Sequence, residues 1–293
     1  LFATASDITG NPTTLIGVVQ SVSGVTVTLE EPALASVTVQ GLSFIVLAFY
    51  AHHQPDLQRF HLFQRFWRAD LEALKSVFRL GWPIGLTGLA ESALFTATAL
   101  MMGWVGTVEL AAHGITMEAV ALTFMVHLGL SNAATVRAGK ASGAGDTAAL
   151  REGAKVAIAM SVVFGLAMIA LFLSLGTPII SLFLDTSKPG AAEILTFGVK
   201  LLAVAALFQM ADAMQVMALG LLRGIHDTKV PMIAATVSYW LIGIPAGYVL
   251  GFSFGMGGIG LWLGLVIGLA FAATLMMGRF WRRVSVQVTA PGT

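Results

Sequence analysis

The sequence predicts an all-α polytopic membrane protein, and three observations carry that expectation. Of its 293 residues, 57% are hydrophobic and only 11% are charged, where soluble domains carry about a quarter. Mean hydropathy is +0.85. Several stretches are long enough to cross the hydrocarbon layer, which takes about 20 apolar residues. The clearest runs from Leu80 to Val108, twenty-nine residues in which Glu91 is the only charged side chain. That places a carboxylate near mid-membrane, where a charge costs at least about 2.5 to 3.5 kcal/mol and needs a protein interior or a wet cavity.

Composition narrows the function classes. A net charge of +1 with no lysine or arginine run gives no basis for nucleic-acid binding. The absence of cysteine rules out disulfides, thiol catalysis and thiolate metal sites, and fits a bacterial inner membrane. No HExxH, phosphate loop or Ser-His-Asp signature occurs, so no enzyme, metal site or organic cofactor is expected. The chain begins at Leu1 and its first twenty residues lack the basic and apolar regions of a signal peptide, which suggests a fragment of a longer protein.

In chain order, residues 1–40 form an extension unlike the rest. Gly17 to Gln40 alternates valine and threonine with turn residues, a period of two that predicts strands, with a hairpin turning near Glu30 to Ala33, or else disorder. Residues 41–79 comprise the end of a truncated helix (Gly41 to Ala51, too short to span unless the stretch from Ala33 joins it) and a basic, aromatic linker. In that linker Arg59, Arg65, Arg68, Lys75 and Arg79 interleave with Phe60, Phe63, Phe66 and Trp67, as in an interfacial segment. Residues 80–285 hold six predicted spans. After the helix of Glu91 come Leu110 to Val136, Val156 to Leu184, Leu201 to Leu222, and an uncharged region from Val230 to Gly278 that GFSFGMGGIG at 251–260 divides in two. Residues 286–293 are a tail.

The basic residues set the expected topology. Fourteen of sixteen fall in the 59–79 segment, at Arg137 to Lys155, at Arg223 and Lys229, and at Arg279 to Arg283. Six crossings put all of these on one side, cytoplasmic by the positive-inside rule, together with the C-terminus.

Counting from the external ends, Glu91, Glu118 and Asp212 lie 13, 10 and 14 residues deep, about 15 to 21 Å at 1.5 Å per residue. Three carboxylates at one level, with no intramembrane lysine or arginine beside them, call for a proton or another cation in at least one state. Around Asp212, Gln209 and Gln215 continue one polar stripe at three-residue spacing, while Met210, Met214 and Met217 fall on another face and could offer an adaptable surface to varied apolar ligands. Helix packing explains the methionines as well. His113 and His127 read first as hydrogen-bonded packing residues, with His127 also a candidate for the polar cavity. Gly81, Gly85 and Gly88 permit close helix approach, and Pro83 loosens the helix before Glu91.

At these residues the chain resembles the multidrug and toxic compound extrusion (MATE) transporters, specifically their second six-helix lobe. RFHLFQRFWRAD, LGWPIGLTGLAESALF, LAAHGITMEAVALTFMVHLGLSNAATVRAGKASGAGD and FQMADAMQVMALGLLRGIHDTKVP carry the match, over about residues 44 to 285. The resemblance implies one half of a twelve-helix antiporter whose lobes rock to give alternating access. It places Glu91 and Asp212 on the family's cation-coupling acids, with Gln209 and Gln215 flanking. Phe208 stands where sodium-coupled relatives commonly have tyrosine, which favours protons over sodium as the coupling ion. The expected substrates are cationic, lipophilic small molecules, and the expected partners are the bilayer and either a missing N-terminal lobe or a second copy. A lipid-linked sugar flippase of the same superfamily and a non-transporting module are the alternatives.

Overall fold

The computed structural model describes residues 30–54, 70–185, 187 and 190–289, with side chains described from 37 to 285 within that set. All its regular elements are helices. α1 (Glu30–His53) belongs to a unit separate from the body that starts at Val77. It corrects the expected hairpin turn at Glu30 to Ala33. Two acids and a proline suit a helix's first turn, where anions complement the dipole and the missing proline N–H costs nothing. The uncharged stretch from Ala33 then joins the apolar run, giving 24 residues instead of a truncated eleven. The strands expected before Glu30 and the aromatic residues Phe60 to Trp67 lie outside the described residues.

Six helices among the described residues are long and apolar enough to cross a membrane, as the sequence predicts. α2 (Leu71–Val105) starts nine residues earlier than the apolar run, so the last turns of the basic linker are already helical. Its buried positions, Pro83, Thr87, Ala90, Leu94, Thr98 and Met101, recur every three or four residues and form one stripe. Trp82, Leu89, Leu100 and Trp104 point outward, at least 60% exposed, which is apolar surface that only lipid or another chain would cover. α3 (Thr107–Gly143) follows, then α4 (Thr147–Ser174), whose first turn is capped by the Asp146 carboxylate accepting from the Ala149 amide at 2.8 Å. A short helix, α5 (Gly176–Phe183), leads to α6 (Ala191–Gly224).

α6 is the centre of the body and packs against α3, α4, α5 and α9 (Gly257–Thr289). From Gln215 to Leu222 every residue is buried, so this stretch has no lipid-facing side. Its approach to α3 is close because Gly220 and Gly224 carry no side chain: a Cβ on Gly224 would stand 2.6 Å from the Thr135 carbonyl oxygen. Hydroxyls seal the seam, Ser131 donating to the Val216 carbonyl at 2.7 Å and Thr135 to the Gly220 carbonyl at 2.9 Å.

The fifth span, Lys229–Ser253, is α-helical over α7 (Lys229–Val237) and α8 (Ile244–Tyr248) and π-helical over Ser238–Gly243 and Val249–Ser253. Gly243 and Gly247 lie against Gly268 and Gly264 of α9, backbone to backbone. The chain breaks at Phe254 to Met256, within the predicted 251–260 interruption. Arg279 of α9 holds Asp227 at 2.7 Å, tying the α6–α7 turn to the last helix.

Candidate cation site

The polar stripe of α6 is buried as a unit. Gln209 and Gln215 are 0% exposed and Asp212 is 3% exposed, and spacing of three residues keeps all three on neighbouring azimuths of the helix. Their bonding capacity is mostly unspent. Among the described residues, both side-chain polar atoms of Gln209, Oδ1 of Asp212 and Oε1 of Gln215 are buried without a hydrogen-bond partner. Leaving one such atom dry costs about 1 to 3 kcal/mol, so four on one stripe point to a bound ion, water or ligand as their partner.

Glu91 of α2 completes the pair. It is half-buried, one residue past the buried Ala90, and lies within electrostatic range of Asp212. Two carboxylates in a body this apolar are costly to keep ionised together without a positive partner. Pro83 stands eight residues before Glu91, and its carbonyl accepts from the Thr87 hydroxyl at 2.8 Å.

One group that the sequence did not single out belongs to this site. Tyr239, in the π-helical segment of the fifth span, is 0% exposed, and its hydroxyl accepts from Gln215 Nε2 at 2.6 Å. That leaves its own proton free to donate, and Glu91 and Asp212 are both within electrostatic range. π-turns often mark functional positions. The signal available beforehand was a tyrosine in mid-span of an uncharged region that holds one other, Tyr248.

The remaining expectations divide. Glu118 is half-buried on α3, and among the described residues no hydrogen bond joins it to Glu91 or Asp212. His113 is a packing residue: its Nδ1 accepts from Trp262 Nε1 at 3.0 Å. His127 bonds Ser161 through Nδ1 at 2.9 Å, while its Nε2 is buried without a partner. Met214 is half-buried and Met217 fully buried. Phe208 packs edge to face between Phe95 and Trp262, an apolar wall beside Gln209.

Comparison with known proteins agrees with this architecture. The MatE family model matches residues 83–249. A protein named probable multidrug resistance protein NorM from Rhizobium meliloti (strain 1021) is 42% identical over 88% of this chain and 56% of its own length. Its namesake from Brucella suis biovar 1 (strain 1330) is 41% identical over 89% of this chain and 55% of its own. The crystal structure of a MATE protein in complex with MaL6 superimposes with a TM-score of 0.78 at 20% identity, covering 88% of this chain and 57% of that one. The chain thus spans about half the length of the curated relatives it matches. On the family model and the six apolar spans together, this chain is a multi-pass membrane protein that belongs to the MatE family.

Proposed function

We propose that this chain supplies the cation-coupling half of a multidrug antiporter of the bacterial inner membrane, its C-terminus cytoplasmic. The observation that carries the proposal is Asp212, a buried carboxylate with a partnerless oxygen within range of Glu91 and flanked by glutamines with spare bonding capacity. The names of the relatives support multidrug export as the class of work. The acids favour cationic, lipophilic substrates, and the other lobe comes from a missing N-terminal half or from a second copy. Protons are the coupling ion. Phe208 offers no oxygen to a metal cation, whereas the Tyr239 hydroxyl can hydrogen-bond a carboxylate as it gains or loses a proton.

In this mechanism the outward-open site takes up a proton, which neutralises the acid pair, lowers the cost of burying it and weakens its hold on a cationic drug. The drug leaves as the proton enters. Coupling follows because the two ligands compete for one charge and favour different states.

The test is efflux of a fluorescent cationic dye from cells lacking their own pumps, comparing the chain with Glu91→Gln and Asp212→Asn at matched membrane levels. Efflux that needs both acids is the expected result. Undiminished efflux by Asp212→Asn would sink the proposal.

A further inference from the structure

The winding of the fifth span decides where Tyr239 points. Its carbonyl accepts from the Ile244 amide five residues on, the π-type bond that sets Ser238–Gly243 apart from α7 and α8 on either side. Neighbouring residues of an α-helix are about 100° apart, so a turn that takes in one more residue rotates everything before it by about that angle relative to everything after it. The part after it is pinned. A Cβ on Gly247 would stand 3.3 Å from the Leu261 carbonyl oxygen of α9, and one on Gly251 would stand 3.1 Å from the Leu261 side chain. The direction of Tyr239, and with it the 2.6 Å bond from Gln215 Nε2 to its hydroxyl, therefore depends on the π turn keeping its form.

Gly268 of α9 lies against that turn. A Cβ there would stand 2.9 Å from Gly243 Cα and 3.1 Å from the Ser238 carbonyl oxygen. Gly243 closes the turn, and the Ser238 carbonyl belongs to the peptide that carries Tyr239. Both are backbone atoms, which cannot swing aside as the end of a side chain can, so a methyl group at 268 would displace the turn itself. The effect would reach the polar stripe. An amide group is planar, so anchoring Gln215 Nε2 on Tyr239 also aims its Oε1, the buried oxygen left without a partner.

We infer that Gly268 is a positioning residue of the cation site: left bare, it seats the π turn that presents the Tyr239 hydroxyl to Gln215. The inference rests on the acid pair and its neighbours being that site.

Fluorine NMR of the purified chain carrying 3-fluorotyrosine tests the placement without requiring transport. The chain has three tyrosines, Tyr50, Tyr239 and Tyr248, and the resonance missing from Tyr239→Phe is that of Tyr239. Gln215→Met should move this resonance in the parent. In Gly268→Ala it should already be displaced, and adding Gln215→Met should move it no further. Gly260→Ala is the control, because its Cβ would stand 2.5 Å from the Leu250 carbonyl carbon, on the same seam but at the second π-helical segment. There the response to Gln215→Met should persist. If Gly268→Ala does not insert, Gly243→Ala takes its place, with a Cβ 3.3 Å from Gly268 Cα. A full response to Gln215→Met in folded Gly268→Ala overturns the inference, and so does its loss in Gly260→Ala, which would make the seam merely structural. Dye efflux should fall about tenfold in Gly268→Ala, as in Tyr239→Phe, and no further when the two are combined; a further fall also overturns the inference. Undiminished efflux by Asp212→Asn overturns the cation-site reading instead, and the fluorine spectra still decide the placement of Tyr239.

Discussion

Two sets of buried polar residues in this protein contrast sharply. His113 and Trp262, like Ser131 and Thr135 with the carbonyls of α6, are matched donor to acceptor across helix seams. Gln209, Asp212 and Gln215 are as deeply buried, yet four of their polar atoms have no partner. Polar groups that serve packing arrive with their bonds made, because an unmatched one in hydrocarbon costs more than it contributes. A stripe kept unmatched on the most buried helix is placed for something that comes and goes. Burial alone does not separate the two sets; unspent bonding capacity does.

The contrast predicts a double dissociation between stability and transport. The largest effect is expected from Asp212→Asn, which removes dye efflux altogether yet leaves the thermal midpoint in detergent equal to or above that of the parent. Taking away an uncompensated buried charge relieves a cost. Tyr239→Phe comes next: Gln215 loses the hydroxyl it bonds at 2.6 Å, and efflux should fall about tenfold with insertion unchanged. Trp262→Phe keeps an aromatic ring on Phe208 but strands His113 Nδ1, so it should lower unfolding stability by about 1 kcal/mol while efflux stays within about twofold. Glu118→Gln should move neither quantity by more than about twofold, as an acid outside the pair. A Trp262 variant that lost transport while keeping its stability would break the comparison, and so would a collapse of stability in Asp212→Asn.

Much of the body was legible in the sequence because hydrophobic length is a strong signal in a membrane. The six spans, the interruption near Phe254 and the Gln209, Asp212, Gln215 stripe follow from run length and helical spacing alone. Counting along a helix gives depth but not direction, so a shared level does not by itself bring Glu118 to Asp212. Tyr239 was hidden because nothing local marks it: its role comes from a residue 24 positions earlier on another helix. α1 was misread for a different reason. Alternating valine and threonine suggest a strand, but the proline and two acids ahead of them suit a helix start, and the longer apolar run prevails.

The central claim is that drug and proton compete for the Glu91–Asp212 pair. Proton release on adding a lipophilic cationic dye to the purified chain tests it most directly, read with a pH electrode in unbuffered detergent. The account predicts release that saturates with dye binding in the parent and in Glu118→Gln, and none in Asp212→Asn. Dye binding without proton release in the parent, or equal release from Asp212→Asn, would contradict it.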